Sequence, residues 1–114
     1  MKSVNCEVKY NGNENVLKIK VTGEIDHHSA RGLRDDIDRE VFLYRAKTVL
    51  LDLSAIDFMD SSGLGLILGR YTKIKQLNGK LKLMNPSQSV MKILELAGTE
   101  RIIPVEFDKE AVKA

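Results

Sequence analysis

The sequence predicts one α/β domain built on a mixed, mostly parallel sheet with an N-terminal β-hairpin and packed helices. Three observations carry that prediction. Two runs of alternating apolar residues flank an Asn- and Gly-rich turn near the N-terminus, three later stretches repeat apolar residues at helical spacing, and a nearly continuous apolar run lies between the first two of those stretches. Strands separated by helices need crossover connections, and crossovers make neighbouring strands parallel. The order read from the chain is β-β-α-β-α-β-α-β.

Cys6, Val8 and Tyr10 alternate with Glu7 and Lys9, and Leu17, Ile19 and Val21 alternate with Lys18 and Lys20. A period of two puts the apolar members of each run on one face, and Asn11-Gly12-Asn13-Glu14-Asn15 between them is turn chemistry, so the runs read as an antiparallel hairpin. Thr22-Gly23-Glu24-Ile25-Asp26 leaves the second strand. Ala30, Leu33, Ile37 and Val41 then mark a helix facing a core, with Asp26 or Ser29 expected to cap it. Residues 47–53, with Val49-Leu50-Leu51-Asp52-Leu53, read as a strand covered on both faces.

Leu64, Ile67, Leu68, Tyr71 and Ile74 give the second helix, with Leu64, Ile67, Leu68 and Tyr71 expected in the core. Asn78-Gly79 is a suitable left-handed stop. Lys80-Leu81-Lys82-Leu83-Met84 is the next strand, and Asn85-Pro86-Ser87 opens a third helix with Val90, Ile93, Leu94 and Ala97 as its buried stripe and Gly98 at its end. Ile102-Ile103-Pro104-Val105 reads as a short edge strand, where proline is tolerated. The expected domain occupies residues 1–114, with its core at about 5–107 and a frayed tail at 108–114.

At 114 residues the chain is long enough for one core and too short for two. Its 43% hydrophobic and 30% charged residues are those of an ordinary globular chain. The 18 basic and 16 acidic residues are interspersed, aromatics make up 5% and Trp is absent, which argues against nucleic acid as a direct partner. Cys6 is the only cysteine, so no intrachain disulfide forms and a reducing compartment fits. No apolar signal region follows Met1-Lys2-Ser3 and no run approaches the ~20 apolar residues of a membrane span. A cytoplasmic protein is expected.

The chemistry concentrates at the turn between the third strand and the second helix. Asp60 and Ser61 sit where that helix begins, and short polar side chains there accept hydrogen bonds from backbone N–H groups that lack intrahelical partners. Capping accounts for them but not for Gly63, Gly65 and Gly69, each of which costs a helix roughly 0.5–1 kcal/mol relative to alanine. Residues 65 and 69 fall on one stripe, where lost side chains let another backbone or a partner protein approach. Free N–H groups and the positive end of the helix dipole also welcome an anion, so Ser61 or Ser62 is a candidate phosphorylation switch.

Enzymatic readings fit less well. A hydrolase elbow needs Gly-x-Ser-x-Gly, yet here both serines follow Asp60, and no glycine stands where the sharp turn requires one. Glu24, Asp26, His27 and His28 could be imagined around a metal, but adjacent histidines seldom point at one ion, so no metal is expected. The glycines match neither the Gly-x-x-x-x-Gly-Lys-Ser/Thr nor the Gly-x-Gly-x-x-Gly phosphate-binding spacing. A weak nucleotide-binding or hydrolytic enzyme is the alternative from another class.

The stretch Phe58-Met59-Asp60-Ser61-Ser62-Gly63-Leu64-Gly65, continued by Ile67-Leu68-Gly69-Arg70-Tyr71 and Ile74-Lys75-Gln76, resembles the signature of the STAS-domain anti-sigma factor antagonists. Gly23-Glu24-Ile25-Asp26-His27-His28 is similar to their second motif, and the likeness to the sporulation branch runs from about residue 5 to 107. The resemblance implies a non-enzymatic regulator that, when unphosphorylated, binds an anti-sigma factor and so frees a sporulation sigma factor. It implies Ser61, directly after the motif aspartate, as the phosphate acceptor. The implied partners are an anti-sigma factor serine kinase, which brings its own ATP and Mg²⁺, and a serine phosphatase; the chain itself would need no cofactor. Asp26, His27, His28, Asp60, Ser61, Ser62, Gly63, Gly65, Gly69 and Arg70 are the expected contact residues, with Asp26 facing a basic residue of the partner and Arg70 at the interface rather than merely solvated. A stress-response sigma factor pathway is the alternative within the family, and a transporter's STAS module is disfavoured because no spanning segment accompanies the domain.

Overall fold

The alternating N-terminal runs pair as the pattern requires: β1 (Asn5–Asn11) lies antiparallel to β2 (Val16–Ile25), with Val8 opposite Ile19 and Tyr10 opposite Leu17. Asn11 Oδ1 accepts the backbone N–H groups of Asn13 and Glu14, and Asn15 takes φ 57°, a left-handed conformation that asparagine tolerates. The structure, a computed structural model, describes residues 5–108.

α1 (Ala30–Tyr44), β3 (Thr48–Met59), α2 (Ser61–Gln76), β4 (Lys80–Met84), α3 (Gln88–Leu96), a 3-10 turn (Thr99–Arg101) and β5 (Val105–Glu106) follow. The five strands stand side by side in sequence order, and every pair after the hairpin is parallel. Successive right-handed crossovers between sequential parallel strands put their helices on one face of the sheet. On that face Leu17, Ile19 and Val21 of β2, Val49, Leu51 and Leu53 of β3, and Leu81 and Leu83 of β4 are buried. They meet Leu33, Ile37 and Val41 of α1, Ile67 and Ile74 of α2, and Val90 and Leu94 of α3. Each such side chain contributes about 1.5–3 kcal/mol by leaving water.

The opposite face carries the polar alternates. Lys18 Nζ lies 3.7 Å from the buried Asp52 carboxylate, and Lys82 Nζ lies 3.1 Å from Glu106. Leu50 belongs to this row and is half-buried, so β3 is not enclosed on both sides as its apolar run implied. β3 also outruns residues 47–53, because Ile56 continues to pair with β2 beyond one register shift and Met59 beyond a second, each absorbing an extra residue.

Two further expectations change. Ala97 lies past the end of α3 and is exposed. Of residues 102–105 only Val105 joins a strand: Gly98, at φ 73°, starts the 3-10 turn, which carries Ile103 into the core and leaves Ile102 outside. The expected tail lies outside the described residues apart from Asp108, which exchanges two hydrogen bonds with Asn85.

Candidate functional site

Ile25 and Met59 pair as the final residues of two adjacent parallel strands, so the chain leaves β2 and β3 side by side. The Asp60 N–H donates to the Ile25 carbonyl at 3.1 Å and binds the two exits together. Asp60 is extended and caps α2, its Oδ1 accepting the Ser62 N–H at 2.8 Å. Ser61 is the first helical residue and is exposed, whereas Ser62 is half-buried.

The three glycines separate into two kinds. Gly63 is buried, and a Cβ there would overlap the Met59 side chain beneath it, so its absence lets the helix start settle onto the strand end. Gly63 is thereby accounted for by the domain's own packing. A Cβ at Gly65 or Gly69 would meet nothing within 4 Å. The fold requires neither glycine, and both leave the outer side of α2 smooth.

Ser61, Gly65, Leu68 and Thr72 are all exposed and follow one another at helical intervals, forming an outward stripe. Leu68, expected in the core, is 36% exposed because the inward face of α2 is already filled by Leu66, Ile67, Arg70 and Ile74; Leu64 and Tyr71 are partly buried. Phe58, 50% exposed just before the serine turn, adds an apolar side chain that the alternation pattern did not single out.

Across the β2 exit, Asp26 and Ser29 lock each other rather than capping α1. Asp26 Oδ1 accepts the N–H groups of His28 and Ser29, each at 2.9 Å, while Ser29 Oγ accepts the Asp26 N–H at 3.0 Å and donates to the Glu24 carbonyl. Ser29 occupies the N-cap position without a side-chain cap bond. The Ser29 N–H foremost holds the Asp26 carboxyl below its ordinary range. His27 and His28 are exposed, their rings edge-on with centroids 5.6 Å apart. Among the described residues, no group of three His, Cys, Asp or Glu side chains gathers into a metal-binding cluster.

Arg70 departs most from expectation. It is 6% exposed, with Nε 2.7 Å from Asp38 Oδ1 on α1, and Lys73 Nζ reaches the other Asp38 oxygen at 3.5 Å. The N–H is not aimed squarely at the oxygen, so the attraction is Coulombic more than directional. Burial pushes the Arg70 pKa down and Asp38 opposes that shift, yet a guanidinium stays protonated throughout. Arg70 is thus chiefly an internal tie between the two helices. The serine turn, the Asp26 loop and the smooth stripe are brought together; Arg70 is set behind them.

The chain matches the STAS domain family model over residues 7–111. It is 33% identical over 107 residues to an anti-sigma F factor antagonist of Paenibacillus polymyxa, covering 94% of this chain and 91% of that one. It is 31% identical over 108 residues to an anti-sigma-B factor antagonist of Bacillus subtilis (strain 168), covering 95% of each. Among solved structures, the anti-sigma factor antagonist SpoIIAA in its unphosphorylated form superposes with a TM-score of 0.74 at 28% identity, over 96% of this chain and 94% of that one. The phosphorylated form of SpoIIAA gives 0.67 at the same 28% identity, over 96% and 97%. Among the described residues no helix is long and apolar enough to cross a membrane. With the family model spanning residues 7–111 and the sequence relatives aligning over almost the full length of both partners, the chain belongs to the STAS domain family, among the anti-sigma factor antagonists.

Proposed function

We propose that the unphosphorylated chain binds an anti-sigma factor that is also an ATP-dependent serine kinase, releasing the sigma factor, and that phosphorylation of Ser61 ends the binding. One observation carries this reading: an exposed serine at the first position of α2, beside a charged Asp26 loop and a surface left smooth by Gly65 and Gly69. That SpoIIAA exists in phosphorylated and unphosphorylated forms supports a switch of this kind. The docking surface comprises Asp26, His27, His28, Asp60, Ser61, Ser62, Gly65 and Gly69, with Gly63 holding the turn in place from beneath.

The chain supplies a hydroxyl and no catalytic group, and ATP and Mg²⁺ come with the kinase. A serine phosphatase reverses the modification. The cycle belongs to the cytoplasm, where sigma factors meet RNA polymerase.

A sporulation sigma factor is the preferred beneficiary, favoured by the F-type relative and by the paired His27 and His28. The B-type relative at 31% identity keeps a stress pathway as a second reading. The test is to add the unmodified protein to preformed complexes of sigma factor and anti-sigma factor from each pathway. Sigma factor is expected to be displaced from the sporulation complex; displacement only from the stress complex selects the second reading, and displacement from neither overturns antagonism.

A further inference from the structure

We infer that the groove between the N-terminal halves of α1 and α2 is a second docking element, which receives acidic side chains of the same partner through Arg31 and Arg34. The inference rests on the antagonist reading and extends it to the partner's chemistry.

The groove encloses about 780 Å³ beside the serine turn. Arg31 and Arg34 line its α1 wall, Ser62 and Gly65 its α2 wall, and His27 and His28 its mouth. Gly65 keeps it wide, since no side chain projects from that position. Among the described residues no carboxylate lines it. Arg70 forms part of its lining, but that charge is already answered by Asp38.

The two α1 arginines are not answered in the same way. Among the described residues Arg34 has only its exposed neighbour Asp35 at 3.4 Å, a contact that solvent screens. It lies near enough to Arg70 for the two positive charges to oppose each other. Among the described residues no carboxylate lies within ion-pair distance of Arg31. Two guanidinium groups three residues apart on one helix therefore face a concavity that offers them no anion.

Continuity identifies the occupant. Ser62 and Gly65 belong both to this groove and to the proposed docking surface, so a partner seated on Ser61 must cover the groove mouth. Covering a guanidinium without an anionic partner is costly, whereas a carboxylate matches its planar fork. The partner's face is then bipolar: basic opposite Asp26, acidic opposite Arg31 and Arg34. Such alternation fixes the orientation of docking and rejects kinases of the wrong charge pattern.

The test titrates wild type, the double variant Arg31→Glu with Arg34→Glu, and Ser61→Asp into the anti-sigma factor serine kinase of the same genome, at about 0.1 M and about 0.5 M salt. The double variant is expected to bind about ten- to a hundredfold more weakly at the lower salt, with the gap narrowing at the higher. Its melting temperature should stay near that of wild type, because both arginines are exposed. Equal affinity of wild type and the double variant, where Ser61→Asp fails to bind, overturns the groove and leaves the Ser61 switch intact. No binding by wild type overturns the antagonist reading and the inference with it. ATP or inorganic phosphate binding to the isolated chain that the double variant abolishes, with kinase affinity unchanged, also overturns it and makes the groove a small-anion site.

Discussion

Ser61→Asp is expected to weaken binding to the anti-sigma factor by about a hundredfold or more, while Ser61→Ala stays within a few-fold of wild type. The difference comes from charge. Asp60 is adjacent in the chain, and the ionised Asp26 lies at the neighbouring strand exit, joined to the serine turn through the bond from Asp60 N–H to the Ile25 carbonyl. A third negative charge there is covered by a partner surface that docks against a neutral hydroxyl and offers it no cation of its own, and burying an uncompensated charge costs several kcal/mol.

Within the domain the same charge meets the positive end of α2 and gains about 0.3–1 kcal/mol, so the variant should melt no lower than wild type. Phosphoserine, at about −1.5 to −2 charges, should exceed the aspartate effect. Calorimetric titration of the three proteins into the kinase reads the result. Equal affinities for Ser61→Ala and Ser61→Asp would show that charge is not the signal.

Asp38→Ala should lower stability by about 2–4 kcal/mol, a loss visible as a fall in the thermal midpoint of roughly 10 °C or more. Arg70 is 6% exposed and Asp38 is its anionic neighbour within ion-pair distance. Removing one member of a buried pair leaves the other charge without compensation, which costs more than the pair was worth. The Asp38 side chain keeps 23% of its surface in solvent, so water offsets part of that cost. Lys73, with its side chain 58% exposed, loses little.

Replacing the whole pair, Asp38→Ala with Arg70→Met, should recover most of the stability, since an apolar side chain of similar length suits the seam between α1 and α2. Urea denaturation of the single and double variants measures both. A double variant as unstable as the single one would mean that Asp38 acts through something other than the arginine.

The element order was legible because each element shows a clean period: two in the hairpin, three to four in the helices, and none in the run at residues 49–53. The same logic failed where a position sits between faces. Arg70 lies three residues after Ile67 and four before Ile74, so helical spacing carries it inward, yet its charge made an outward position look natural. Leu68 was read inward for the opposite reason, its apolarity. Residue type outweighed phase in both cases.

The serine turn was legible as a place and illegible in detail. Gly63, Gly65 and Gly69 carry the same cost on paper; only the Met59 side chain beneath one of them distinguishes close packing from an open surface. Asp26 and Ser29 were both plausible caps, because the sequence does not disclose that each would bind the other. Ser61 and Ser62 could not be separated by chemistry. The folded chain exposes Ser61 and half-buries Ser62, whose N–H is already taken by Asp60.

The most direct test of the central claim is to incubate the purified protein with the proposed anti-sigma factor kinase and Mg-ATP, digest it, and locate the added phosphate by peptide mass analysis. A single phosphate on Ser61, absent from Ser61→Ala, is the predicted result. Phosphate on Ser62 alone, or no transfer to this chain, would contradict it.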